Sequence, residues 1–285
     1  MIQDIYPSIF KNEYQNRPYQ EGDSILVFNE AGEVLVRNAM EHFGQESLLK
    51  KSDLPQMALT DHLEYLFAID ERSYYLLWKM DLLLPDGFSY RSIRELRDHC
   101  SGTEVFAIFT AYHLWKWYSD NQFCGKCGAG LTFDRRERAL RCPKCGQVIY
   151  PRINPAVIVG VIKGDSILIT RYRTGYAHNA LIAGFTEIGE TLEETVAREV
   201  MEETGIRVKN ITYYKSQPWG MAQDILVGYF CEADGDEEIH MDADELKSAE
   251  WVKREDILLQ PTSASLTNEM MKMFRDGMIR ADDAL

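Results

Sequence analysis

The chain has 285 residues, is 45% hydrophobic and 27% charged, and carries a formal net charge of −14. That composition fits a globular protein of two or three domains and argues against disorder as the default. The acidity argues against non-specific nucleic-acid binding, DNA included, and means that a phosphate substrate would need local cations. No apolar run approaches the roughly 20 residues of a membrane helix. The opening Met1-Ile2-Gln3-Asp4-Ile5-Tyr6-Pro7 lacks a basic segment leading into an apolar one, so the expectation is a cytoplasmic protein with no signal peptide and no membrane partner.

Residues 1–120 read as an N-terminal α/β domain. The β-rich runs Ser24–Phe28 and Glu33–Arg37 flank Asn29-Glu30-Ala31-Gly32 and predict a hairpin. Glu64–Asp70 and Tyr74–Trp78 predict a second strand pair, and 103–118 a helix with Phe106, Phe109, Ala111, Leu114 and Trp117 at mostly helical spacing. His113 on that helix is expected to pack or face water rather than bind a ligand. Residues 121–149 are cysteine-rich. Residues 150–285 alternate strands and helices: Val157–Ile162 and Ser166–Thr170 around a Lys163-Gly164-Asp165 turn, then a helix from Thr191 to Glu203 stopped by Gly205. No Ser- or Pro-rich linker, repeat or low-complexity tract interrupts the chain.

Six cysteines are present. Four form Cys124-Gly-Lys-Cys127-Gly and Cys142-Pro-Lys-Cys145-Gly. Two intervening residues let both thiolates reach one ion, and the glycine after each pair permits a tight turn. Two such knuckles predict a zinc ribbon with one closed, structural Cys₄ site. A redox role for the pairs is the competing reading, and iron fits the same ligands; zinc is the expected ion. Cys100 and Cys231 are expected to be small core residues. Arg135, Arg136, Arg138 and Arg141, between the knuckles, could touch RNA or a phosphate, but pairing with nearby acids is the favoured reading.

Glu199, Glu202 and Glu203 stand at i, i+3 and i+4, on one face of the predicted helix. Three carboxylates so close disfavour a helix unless something neutralises them, and hard divalent cations such as Mg²⁺ or Mn²⁺ prefer such oxygens. A solvated acidic face would not explain the flanking residues. From Gly184 to Ile206 the sequence matches G-x5-E-x7-R-E-U-x-E-E-x-G-U at every fixed position, where U is bulky and apolar. The chain thereby resembles the Nudix hydrolases. The resemblance implies an α/β fold (α+β): a Nudix α/β/α sandwich with a mixed sheet over 150–285, preceded by a zinc ribbon and the N-terminal α/β domain. It implies that Glu199, Glu202, Glu203 and the Ala183 carbonyl hold catalytic Mg²⁺ or Mn²⁺. Glu203 is the leading candidate for the residue that orients or deprotonates the attacking water. Arg198 would hold Glu190 in an ion pair, and Gly184, Gly189 and Gly205 would shape the box. Glu245, shortly before Trp251, is expected to supply a further metal ligand.

With the upstream ribbon, Tyr150-Pro151-Arg152-Ile153 and Ser216-Gln217-Pro218-Trp219, the likeness narrows to the NADH pyrophosphatase branch. That implies hydrolysis of NADH or NAD⁺ to NMNH or NMN plus AMP, removal of NAD caps from RNA by some members, and a homodimer. Tyr150, Phe185, Gln217, Pro218, Trp219 and Thr267 are the expected substrate-binding residues. One departure stands out. The branch pattern continues Pro-Phe-Pro-x-Ser, whereas this chain reads Gly220-Met221-Ala222-Gln223-Asp224. The glycine is expected to loosen the loop, and restoring Pro-Phe-Pro at 220–222 to raise preference for NADH. The rivals are a Nudix pyrophosphatase of ADP-ribose or a diadenosine polyphosphate, a non-catalytic nucleotide sensor, and a nucleic-acid protein led by the ribbon.

Overall fold

A computed structural model describes residues 1–38, 47–54, 62–78, 82–99, 102–174, 178–236 and 238–279. Cys100 lies outside the described residues. Contacts divide the chain into two units, one of Ile2–Arg152 with Gly220–Gln223, the other of Met1, Ile153–Trp219 and the residues from Asp224 onward.

In the first unit, β1 (Phe10–Lys11), β2 (Ser24–Leu26), β3 (Val34–Arg37), β4 (Leu63–Ile69), β5 (Arg72–Leu77) and β6 (Phe88–Arg91) precede α1 (Ile93–His99) and α2 (Thr103–Asp120). Strands β4 and β5 pair antiparallel, as their apolar runs predict. The expected hairpin at 24–37 is only half realised. Its turn forms, with Gly32 N–H donating to Asn29 O at 2.9 Å and Asn29 N–H to Glu33 O at 3.0 Å. Its arms then separate: β2 runs parallel to β5, while β3 pairs with β6. The reason is competition for edges, since Ile25 is bonded on one side to β5 and on the other to Leu49. Helix α2 is the buried centre of this unit, with Glu104 to Phe109 all inaccessible. His113, on its more open side, meets the Arg152 carbonyl through Nε2 at 2.7 Å, and burial lowers its pKa. The unit ends in the three-stranded ribbon β7 (Thr132–Phe133), β8 (Leu140–Arg141) and β9 (Val148–Ile149).

The second unit is built on β10 (Asn154–Lys163), flanked by β11 (Ser166–Tyr172), β12 (Ile182–Phe185), α3 (Leu192–Thr204), β13 (Val208–Trp219), β14 (Asp224–Ala233), β15 (Leu246–Lys253) and α4 (Leu266–Arg275). Its sheet is mixed: β10 lies parallel to β14 and antiparallel to β11 and β12. Both faces of β10 are apolar, as a strand covered on two sides requires. Val157, Val159 and Val161 pack with Val196 and Val200 of α3. Ile158 and Ile162, pointing the other way, pack with Leu266, Met270 and Phe274 of α4. The period-2 alternation of one strand thus builds both cores of an α/β/α sandwich. Cys231 belongs to the α3-side core, and its burial pushes the thiol pKa up. One edge of β10 is shared: its first half pairs with β12, and its last residues with β11, which then turns to β15. Among the described residues, no helix is long and apolar enough to cross a membrane.

Candidate active site and metal centre

Helix α3 is fixed at both ends by its own sequence. Thr191 Oγ1 accepts from the Glu194 N–H at 3.2 Å, and the Glu194 carboxylate accepts from the Thr191 N–H at 2.8 Å. Such a reciprocal cap stabilises a helix start by roughly 0.5–2 kcal/mol. At the other end Gly205 takes φ 70° and returns its N–H to Met201 O. These two stops set the phase at which the acidic residues project.

Glu199 and Glu203 face inward. The Glu199 side chain lies against Gly184 of β12 so closely that a Cβ there would stand 1.8 Å from Glu199 Cδ. Glycine at 184 is therefore the space that Glu199 occupies. Glu203 is 2% exposed. Its carboxylate accepts from the Tyr172 hydroxyl at 3.2 and 3.3 Å, and the Ala183 backbone amide lies beside it. Burial pushes its pKa up to about 8; the Tyr172 hydrogen bond opposes the rise, and the charges of Glu199 and Glu245 add to it. Burial likewise raises Glu199. Glu245 arrives from the start of β15, where the register against β11 slips between Arg171–Ser248 and Tyr172–Leu246. A bulge of this kind re-aims a strand end, and Arg173 N–H holds the Glu245 carbonyl at 3.0 Å.

Glu202 points the other way, with its side chain 59% exposed. It pairs with Arg198, whose five N–H donors are all engaged. Nε and Nη2 grip the Glu190 carboxylate at 2.6 and 3.0 Å, Nη1 reaches Glu199 at 2.8 Å and Glu202 at 2.9 Å, and Nη2 also donates to the Phe185 carbonyl at 2.9 Å. Glu190 further accepts from Thr195 Oγ1 and the Glu187 N–H, each at 3.0 Å. The Arg198 hydrogen bond, aided by these two, pulls its pKa to about 2. Gly189, at φ 99°, gives the preceding turn its left-handed step. The loop entering α3 is thus tied to the helix through one guanidinium.

The four cysteines of the first unit converge, all their sulfurs within 4.8 Å of one another. Cys124 and Cys145 lie 3.6 Å apart, and Cys127 and Cys142 3.5 Å. A tetrahedral zinc with bonds of about 2.3 Å sets its sulfurs roughly 3.8 Å apart, so the donor set fits that ion. Gly128 and Gly146 take φ 72° and 75° and return their N–H groups to Cys124 and Cys142 carbonyls. The Cys145 N–H, aimed at Cys142 Sγ, draws that thiol's pKa down to about 6. The intervening arginines turn to neighbours: Arg141 to Asp134 at 2.7 Å, Arg135 to Glu64 at 3.3 Å, and Arg138 to the side chain and carbonyl of Asn12.

Residues 152–274 match the NUDIX domain family, and residues 119–150 match the NADH pyrophosphatase zinc ribbon domain. Among curated relatives, the NAD-capped RNA hydrolase NudC of Klebsiella pneumoniae subsp. pneumoniae is 38% identical over 185 residues, covering 64% of this chain and 70% of its own. The protein of the same name from Citrobacter koseri is 40% identical over 184 residues, with the same coverages. The chain belongs to the Nudix hydrolases, in the NADH pyrophosphatase branch. A solved Nudix hydrolase from Nitrosomonas europaea matches 54% of this chain and 90% of its own at 20% identity and TM-score 0.48.

The remaining residues singled out from this Nudix sequence fall in varied places. Phe185, directly after the first box glycine, is 54% exposed. Pro218 and Trp219 end β13, exposed and half-buried. Thr267 is half-buried in the first turn of α4. Tyr150 belongs to the first unit, exposed, with its hydroxyl on Glu137 at 3.1 Å. Gln217 departs from expectation. It is fully buried, its amide donating to Ala264 O at 2.9 Å and accepting from the Leu266 N–H at 2.7 Å. It holds the start of α4 instead of presenting its amide to a ribose.

The divergent turn 220–223 also corrects expectation. Gly220 is buried, and a Cβ on it would stand 2.1 Å from the Phe109 carbonyl oxygen. Arg152 donates to the Gln223 side chain, and Gln223 itself takes φ 61°. Gly220 therefore fits a tight backbone approach and does not loosen the loop, so proline has no room there.

Sequence reasoning missed Tyr172 and Thr195. Thr195 is signalled faintly by its place one turn after Thr191. Tyr172 lies outside every motif and meets Glu203 only through the fold.

Proposed function

We propose that this chain hydrolyses the pyrophosphate bond of NADH or NAD⁺ to NMNH or NMN plus AMP, and that NAD-capped RNA belongs to its substrate class. The observation that supports this most is the inward pairing of Glu199 and Glu203, with Glu245 near enough to raise the Glu203 pKa, in a chain whose relatives are named NAD-capped RNA hydrolases.

An all-oxygen donor set in which burial and mutual charge already oppose ionisation suits a hard divalent cation. Glu199, Glu203, Glu245 and the Ala183 carbonyl would hold Mg²⁺ or Mn²⁺, with Glu202 joining on release from Arg198. Such an ion, when bound, polarises phosphoryl oxygens and lowers the pKa of a bound water. Glu203 takes the proton from the attacking water. Arg198, committed to Glu190 and Phe185, keeps the loop in register so that the reacting atoms meet in one geometry. Phe185 and Trp219 present flat faces to a base, with Tyr150, Pro218 and Thr267 as further substrate contacts. We assign the chain three parts, 1–120, 121–149 and 150–285, one structural zinc, a homodimeric state and a cytoplasmic location.

The test is mass spectrometry of products from NADH, NAD⁺, ADP-ribose and diadenosine polyphosphates incubated with purified protein and Mg²⁺ or Mn²⁺. NMNH plus AMP as the fastest products is the expected result. Faster cleavage of another substrate would move the specificity, and tight NADH binding without any turnover would make the protein a sensor.

A further inference from the structure

The hydroxyl of Tyr172, at the end of β11, stands between two groups the reaction uses. It accepts the Ala183 N–H at 3.1 Å and donates to the Glu203 carboxylate, 3.2 and 3.3 Å from its two oxygens. In a β-strand, the N–H and C=O of one residue leave by the same edge. Ala183 directs its N–H to Tyr172, so its carbonyl faces that same side, away from β10. One hydroxyl therefore ties the strand that carries the Ala183 carbonyl to the carboxylate that carries the charge.

We propose that Tyr172 is a positioning residue of the divalent-metal site, orienting Glu203 and the Ala183 carbonyl toward a shared ion. This rests on the reading of Glu203 and Ala183 as metal ligands. A tyrosine present only for packing would not need its hydroxyl, since phenylalanine fills the same volume without setting a polar group beside the acids Glu203 and Glu199. Here the hydroxyl uses both its donor and an acceptor position on the site. Glu245 directly precedes β15, whose first residues bulge opposite Tyr172, so ring and acid flank one local irregularity. Partners of metal ligands act this way, and their loss typically weakens metal affinity or activity by about 10–100-fold.

The experiment compares wild type, Tyr172→Phe and Glu203→Gln as full-length, zinc-loaded protein. Mn²⁺ binding is measured by electron paramagnetic resonance on folded protein well below the melting temperature, alongside kcat and KM for NADH. Tyr172→Phe should weaken Mn²⁺ binding and lower kcat, each by about 10-fold or more, with KM changed less than two-fold. A packing role would lower the melting temperature and leave Mn²⁺ affinity alone. Wild-type Mn²⁺ affinity and kcat in Tyr172→Phe, with Mn²⁺ binding weakened in Glu203→Gln, would overturn the role of Tyr172 by itself. Unchanged Mn²⁺ binding in both variants would overturn the ligand assignment, and the role of Tyr172 with it.

Discussion

The ribbon and the box helix each gather metal-binding side chains, and they hold them in opposite ways. The four cysteines are drawn together by their own knuckles, and among the described residues they alone bring three or more ligand atoms within 4.8 Å of one another. Backbone N–H groups aim at the sulfurs of Cys124, Cys127 and Cys142, as suits a closed site. The box carboxylates are each tethered to something else: Glu202 to Arg198, Glu199 to Arg198 and the space over Gly184, Glu203 to Tyr172. A ligand set that stays open and electrostatically uneasy suits an ion that must also meet a substrate. A set assembled beforehand suits an ion that holds a fold.

The sharpest way to break this contrast is Glu203→Gln. Turnover is expected to fall by several orders of magnitude while far-ultraviolet circular dichroism stays that of the native fold; near-normal kcat would remove Glu203 from the chemistry. On the ribbon side, Cys142→Ser should lose the zinc, about one per chain in wild type by elemental analysis, and with it the protease resistance of residues 121–149. A ribbon that stays folded without zinc would erase the distinction. Gly220→Pro is next in size. A Cβ forced against the Phe109 carbonyl should destabilise by roughly 1–3 kcal/mol, the usual range for overpacking, and lower the melting temperature without raising NADH preference. A gain in NADH selectivity at unchanged stability would restore the simpler view of the loop.

The remaining effect is a pH slope. The Glu203 pKa is raised from 4.5 to about 8 in the fold. Below pH 4.5 the carboxyl is protonated whether the chain is folded or not, and this stability is fully present. Between 4.5 and 8 the folded state binds more protons than the unfolded one, so stability falls as pH rises. Protein stripped of divalent ions should therefore lose melting temperature across that window, and Glu203→Gln should flatten the slope. An identical slope in both would locate the titration elsewhere.

What was legible in the sequence follows the range of the forces involved. The box helix could be bounded from Thr191 and Gly205 because caps act over a few residues, and β10 could be read because its alternation is its packing. The arms of the 24–37 hairpin could not be assigned, since their partners lie fifty or more residues away in β5 and β6 and the turn does not encode them. Gln217 was misread because an amide serves a ligand or a helix end equally well, and only burial decides. Tyr172 and Glu203 are 31 residues apart and meet only after the strands have paired.

The close fit of Gly184 to Glu199 has a consequence for how such a sequence can drift. The two positions are not independently replaceable: any side chain at 184 meets the Glu199 carboxyl, while a shorter residue at 199 leaves 184 free to grow. A larger residue at 184 with glutamate still at 199 should swing the Glu199 carboxyl, the flexible end of that side chain, out of its place against β12.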